Sequence, residues 1–498
     1  MTFLFFRRFV ALFLLISVSG LQACSPVTGE DTEDLAMSEP IPPVEMVLSQ
    51  IDKAKWKLDL KIPEKEDKQN LTSERVMIFS RSSGDYRAKR FKHLSGEASL
   101  KRVGGFDTVI FASGETGASF EITPDPITIN GTYDPFIDFS DGGLAIYLGA
   151  FELLPVDSLE TVEALGGDID NWDGQQMPLP IKVITNNTLI VNGQYESDGE
   201  VKLTIQGGAP YVYTGPGRIS IGSSFIGVVD SGLPSWILEN FDDDLAQLFD
   251  FYEGAFGSAL PKQSTLLFAF GGSDEPGLSN TGGVLPGGQI VLDVSGELMM
   301  TAEPRIAGYL KWFLAHEAAH LFQTNFELKN YSNQSDSWIN EGGANAMVDV
   351  AFIRMDGIDE GVRQRRMGQA YDACVQAIQG SNMTKLIQQN DQSHYDCGQV
   401  LWWISDAAIS QADIFGIWTE MVTSVTVEGQ SSYDRELFFA TLERLGADMG
   451  IMSDMQAILD GPNPNPDQTF RRLLESVNLS VEFQNGSLVY IAYPPQKG

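Results

Sequence analysis

The chain has 498 residues, 43% of them hydrophobic and 20% charged; that is enough apolar material for more than one core, which excludes a disordered protein and predicts two or three domains. Its 67 acidic against 33 basic residues leave a formal charge of -34. No basic stripe is available to neutralise phosphates, so nucleic acid is excluded as a partner, and the acidity reads as a solubilising surface.

In chain order, Arg7 and Arg8 lie in a short basic start and Val10 to Val18 form a compact apolar run, the pattern of a secretion signal rather than a membrane span. The run closes on Leu21-Gln22-Ala23-Cys24, which resembles the bacterial lipobox. The resemblance implies that residues 1–23 are a lipoprotein signal peptide and that Cys24 is lipidated, becoming the mature N-terminus. Ser25 after it implies the outer membrane. The expectation is a protein of the bacterial cell envelope, attached to the membrane through its lipidated N-terminus. Residues 24–70 are expected as its tether, because Ser25 to Glu45 is acidic and carries Pro40, Pro42 and Pro43 without an apolar period. The mixed charges of Lys53 to Lys68 read either as a strand or as more linker.

Residues 71–230 have the texture of a β domain. Short β-branched runs (Val109-Ile-Phe, Ala118 to Thr123, Leu144 to Leu148, Ile181 to Ile184, Thr188 to Val191, Val201 to Ile205, Arg218 to Ile221) are separated by Gly, Asp, Asn and Pro. Such spacing predicts a β-sandwich or a saddle-like sheet. His93 is the lone histidine there, and a lone histidine is more often a structural or surface residue than a ligand.

The texture changes at Ser231, where residues 231–498 are expected to form a second, mainly helical α+β domain. Trp236 to Phe256 has helical apolar spacing, Thr265 to Phe270 and Gln289 to Val294 read as strands, and the Gly-, Ser- and Pro-rich stretch Gly271 to Gly288 reads as a loop. Lys311 to Gln323 follows as a helix carrying His316-Glu317-Ala-Ala-His320. A spacing of four puts both imidazoles on one face, one turn apart, where they can share a zinc ion. Ile306, Leu310, Phe313, Leu314 and Leu321 recur at helical spacing around them, and Pro304 suits a first turn. Burying two histidines and a glutamate is costly unless a metal or hydrogen bonds satisfy them.

Further helices are predicted from Ser337 through Ile353 and around Val362 to Ile378, Val400 to Ala412, Arg435 to Leu445 and Thr469 to Val477, with a terminal hairpin turning at Asn485-Gly486. Cys374 and Cys397, an even pair in an exported chain, read as a disulfide, with free buried thiols as the alternative. A catalytic zinc takes three protein ligands and leaves one position open. Only two more histidines exist in the chain, so carboxylates must be considered, and Glu341 on the helix after the motif is the candidate.

Here the sequence resembles the gluzincin metallopeptidases, specifically the aminopeptidase N and glycyl aminopeptidase group. His316-Glu317-x-x-His320 resembles their zinc helix, Trp338-Ile-Asn-Glu341-Gly342 the segment bearing their third ligand, and Tyr395-Asp-Cys-Gly398 a segment whose tyrosine stabilises the tetrahedral intermediate. The resemblance implies a thermolysin-like catalytic domain, zinc held by His316, His320 and Glu341, and a peptide or protein substrate. Glu317 is then the general base and Tyr395, or its neighbour His394, the oxyanion donor. Asn345, one turn after Glu341, is a candidate acceptor for a ligand imidazole. Where aminopeptidases of this group carry an acid for the substrate's amino group, this chain reads Gly282-Gly-Val-Leu-Pro-Gly-Gly, so aminopeptidase-like and endo-acting specificity both stay open. A non-catalytic binding lipoprotein on the same scaffold is the other reading; Glu317 beside intact ligands favours the enzyme.

Overall fold

A computed structural model describes residues 44–63, 74–80, 86–125, 133–324, 330–355, 359–389, 392–427 and 432–493. The expected signal peptide, Cys24 and the Pro-rich start of the tether lie outside the described residues. The chain forms two compact units. One takes the residues up to Ile221 with Phe225–Leu233 and Gln263–Glu297, and the other takes Gly222–Ser224, Pro234–Lys262 and the chain from Leu298 onwards. The architecture is α+β, with sheets in the N-terminal part and helices dominating the C-terminal part.

In the first unit, Lys55–Lys61 shows how sequence becomes sheet. Trp56, Leu58 and Leu60 are buried and alternate with Lys55, Lys57 and Asp59 on the outward side of the pleat. The strand pairs antiparallel with Glu45–Asp52, Leu58 opposite Leu48, and with Gly117–Ile122, Leu58 opposite Phe120. Residues 45–61, expected within the tether, therefore occupy the middle of a six-stranded sheet. The charges that suggested linker are the solvent side of a half-buried strand. Each of the seven β-branched runs read from the sequence overlaps a strand, with Thr123, Leu148 and Thr188 falling just outside. His93 is exposed, with Nε2 2.8 Å from the Gly96 carbonyl and its ring edge-on to Phe120. Arg87 is fully buried; it donates to Asp107 at 2.9 Å and to the Ala150 carbonyl, and lies over the Phe79 ring.

A five-stranded sheet of the same unit runs in the order Arg218–Ile221, Phe225–Val229, Ser264–Phe270, Gln289–Ser295, Ser279–Leu285. Two expectations change here. Gly271 to Gly288, read as a loop, contains the strand Ser279–Leu285, with Gly282 opposite Leu292. A Cβ on Gly282 would lie 2.2 Å from the Val291 carbonyl oxygen, so the glycine that speaks against a strand by propensity is what lets the two backbones approach. Secondly, the strands between Ser264 and Ser295, expected with the catalytic part beyond residue 230, group with the N-terminal unit. Val228 pairs in parallel with Leu267, and Leu267, Ala269, Leu285 and Val291 join the core that holds Trp56 and Leu58.

The second unit carries helices α1 (Phe241–Phe256), α2 (Pro304–Gln323), α3 (Ser337–Arg354), α4 (Glu360–Ala377) and α5 (Ser393–Ala408). Helix α1 opens with Asp242, Asp243 and Asp244 against the positive end of its dipole and ends at Gly257, whose φ of 66° is the left-handed cap. Tyr252 and Phe256 from α1 pack on Phe322 of α2, and the Tyr252 hydroxyl donates to the Ala315 carbonyl at 3.0 Å. Cys374 of α4 and Cys397 of α5 are joined by a disulfide. The hairpin Val481–Gln484 to Ser487–Ile491 turns on Asn485 and Gly486, with φ of 53° and 91°, as an Asn-Gly turn requires. Gln364 of α4 bonds the Ile491 backbone in both directions at 2.9 Å. Among the described residues no helix is long and apolar enough to cross a membrane.

Candidate metal centre

Helix α2 begins with Pro304 at its first turn and buries Ile306, Leu310, Phe313, Leu314 and Leu321. That apolar stripe fixes the helix rotation and leaves His316, Glu317 and His320 clustered on the adjoining face, only 4%, 6% and 8% exposed. Glu341, 9% exposed, comes from the second turn of α3. His316 Nε2 and His320 Nε2 are 3.0 Å apart; Glu341 Oε2 lies 3.1 Å from the latter and 3.4 Å from the former.

The other nitrogen of each ring is committed. His316 Nδ1 lies 2.8 Å from Asn345 Oδ1 and His320 Nδ1 lies 2.7 Å from Gln323 Oε1. Gln323 is oriented independently, because its Nε2 donates to the Asn340 carbonyl at 3.1 Å. Amide oxygens only accept, so both Nδ1 atoms carry the proton and both Nε2 atoms present lone pairs. Two lone pairs and a carboxylate oxygen converging within hydrogen-bond distance repel one another unless a cation sits among them. Two imidazole nitrogens and one carboxylate oxygen, with the far nitrogens held by protein acceptors, is a donor set that fits zinc. Without an ion a proton on His320 Nε2 takes the cation's place: burial opposes charge on His320, yet the Glu341 carboxylate pushes its pKa up to about 9, so a metal binds there by displacing that proton. Burial likewise raises Glu341, but the two imidazoles overcome it and hold its carboxyl well below the usual range.

Helix α5 reaches this site because it touches α3 at two glycines. A Cβ on Gly342 would fall 2.3 Å from Gly398 Cα, and one on Gly398 would fall 2.7 Å from the Trp338 carbonyl oxygen. Trp402 Nε1 donates to the Ile339 carbonyl at 2.9 Å, and Gln399 and Trp403 donate to Asp349 at 2.7 and 2.9 Å. The close crossing carries Tyr395, one turn before Gly398, to a ring-centre distance of 6.0 Å from His316. Burial and the charges of Glu341 and Glu317 push the Tyr395 phenol well above its usual pKa, so it remains a donor. His394 lies against the Tyr395 ring at 4.2 Å. Two neighbours were passed over in the sequence. Gln323 sits three residues after His320 on the same helix, a spacing that could have flagged it. Tyr331, whose phenol is pushed up to about 12 by burial and the Glu341 charge, lies in a short strand with no periodic signal.

No family model and no curated protein matches the sequence. Among solved structures, an aminopeptidase N family protein from Idiomarina loihiensis aligns over 89% of this chain and 79% of its own, with 12% identity and a TM-score of 0.61. Native yeast LTA4 hydrolase aligns over 85% of this chain and 68% of its own, with 12% identity and a TM-score of 0.47. The chain has the fold of the aminopeptidase N family protein, the group its motifs resemble.

Proposed function

We propose that the chain is a zinc-dependent hydrolase of peptide bonds, with a thermolysin-like catalytic domain preceded by a β-sandwich or saddle-like domain. The observation that carries this reading is the convergence of His316 Nε2, His320 Nε2 and Glu341 Oε2 beside a buried glutamate that is not one of the three. Those three residues would hold the ion. Zinc bound there supplies a Lewis acid that polarises a carbonyl and makes water a usable nucleophile near neutral pH.

The remaining work falls to the chain. Glu317 takes a proton from the attacking water and returns it to the leaving amine. Tyr395, kept protonated, donates a hydrogen bond to the developing oxyanion, and His394 against its ring is the other candidate for that donation. Asn345 and Gln323 keep each ligand nitrogen unprotonated and aimed. The substrate is a peptide or protein, cut either from its amino end or internally; the Gly282 to Gly288 stretch offers no carboxylate for a free amino group. Lipidation at Cys24 and attachment to the outer membrane belong to the same reading. The test is Glu317→Gln, expected to retain zinc by elemental analysis while peptide cleavage falls by about 10²–10⁴-fold. Wild-type activity in that variant, or wild-type protein unable to take up zinc, would overturn it.

A further inference from the structure

The face of α2 that carries His316 also carries two half-buried aromatics, Tyr309 and Trp312, at helical spacing. The Trp312 ring leans on His316 with centres 5.3 Å apart, and the guanidinium of Arg366 from α4 covers Trp312 at 3.8 Å and Tyr309 at 5.8 Å. A guanidinium attracted to the face of an indole still carries five N–H donors for other partners. Among the described residues this guanidinium makes no hydrogen bond and no ion pair. Asp349 and Asp396 act on it only through space, and Asp349 already accepts from Gln399 and Trp403. By contrast the neighbouring Arg363 is bonded to Glu360 at 2.5 Å. Arg366 is only partly exposed, and burial is the strongest influence on its guanidinium, lowering its pKa, so the group is a largely desolvated cation without a partner among the described residues.

We propose that Arg366 is a specificity-determining residue that binds a carboxylate of the substrate, an inference that rests on the peptidase reading above. The two ring steps place the guanidinium within about 9 Å of the His316 ring. An extended peptide advances ~3.3–3.6 Å per residue, so the carboxylate belongs within about two or three residues of the scissile bond. The planar fork matches a carboxylate with two parallel hydrogen bonds, and contact with the Trp312 ring at 3.8 Å restricts the guanidinium in advance. In a chain with 67 acidic and 33 basic residues, the general field repels an acidic substrate. A fixed local cation is what would make such a substrate preferred.

The source of the carboxylate is either an acidic side chain or the substrate's own C-terminus. Matched peptides separate the two: one pair differing by Glu or Gln at each position around the cut, another ending in a free acid or an amide. Zinc-loaded wild type is expected to favour one acidic member by at least tenfold in kcat/KM. In Arg366→Gln that ratio falls to about one, and in Arg366→Lys, which keeps charge without the fork, it falls part of the way. A merely structural clamp between α4 and α2 would lower both members of a pair equally and leave the ratio standing, which overturns the proposal. So does a wild-type ratio near one. If no peptide is cleaved, the hydrolysis reading fails by itself, and Arg366 is then judged by calorimetric binding of the same pairs to Glu317→Gln; equal affinities overturn it.

Discussion

Asn345 and Gln323 decide, at the scale of single atoms, which nitrogen of each histidine is free. Replacing Asn345 by alanine leaves the Nδ1–H of His316 without its acceptor at 2.8 Å in a buried place, and the ring loses both its tautomer and its orientation. Zinc affinity in Asn345→Ala is expected to fall by about 10–100-fold, read by titration against a competing chelator. The convergence of His316, His320 and Glu341 was legible in the sequence because they sit one turn and one helix apart, within reach of spacing arguments. Asn345 was legible for the same reason, one turn beyond Glu341. Arg366 was not, because its relation to Trp312 is made by the packing of α4 on α2 and leaves no trace in any periodicity.

At the scale of elements, the glycines of the Glu-Gly and Tyr-x-x-Gly segments act together as the contact between α3 and α5. Gly398→Ala forces a methyl group against backbone at 2.7–2.9 Å, which neither helix can relieve by turning a side chain. It is expected to destabilise the protein by about 1–3 kcal/mol, as overpacking does, and to lower kcat by shifting Tyr395. Gly254→Ala in α1 is the control: nothing lies within 4 Å of its Cβ, so stability is expected to rise by up to about 1 kcal/mol. Denaturant midpoints distinguish the two. Element reading from sequence succeeded where period and propensity agree, as in α2 and Leu179–Ile184. It stayed open between strand and linker, or failed outright, where they conflict. Lys55–Lys61 alternates correctly but is mostly charged on its outward side, and Ser279–Leu285 is a strand held by register with its neighbour, not by its own composition.

For the molecule as a whole, the formal charge of -34 keeps it apart from other acidic surfaces, including anionic lipid, unless something covalent holds it there. The lipobox-like stretch supplies that anchor in our reading. Mass spectrometry of the protein produced in a bacterial host is expected to find Cys24 as the first residue, carrying acyl chains, and Cys24→Ser to be recovered without them. The order in which the two units take up the chain has another consequence. The backbone leaves the first unit at 233 to build α1 and returns at 263 to lay Ser264–Phe270 parallel to Phe225–Val229, a pairing that needs a long crossover. Neither unit is thus a continuous stretch of polypeptide. A gene cut at any one codon in this region yields two broken halves rather than two modules, so the pair is inherited, shuffled and folded together or not at all.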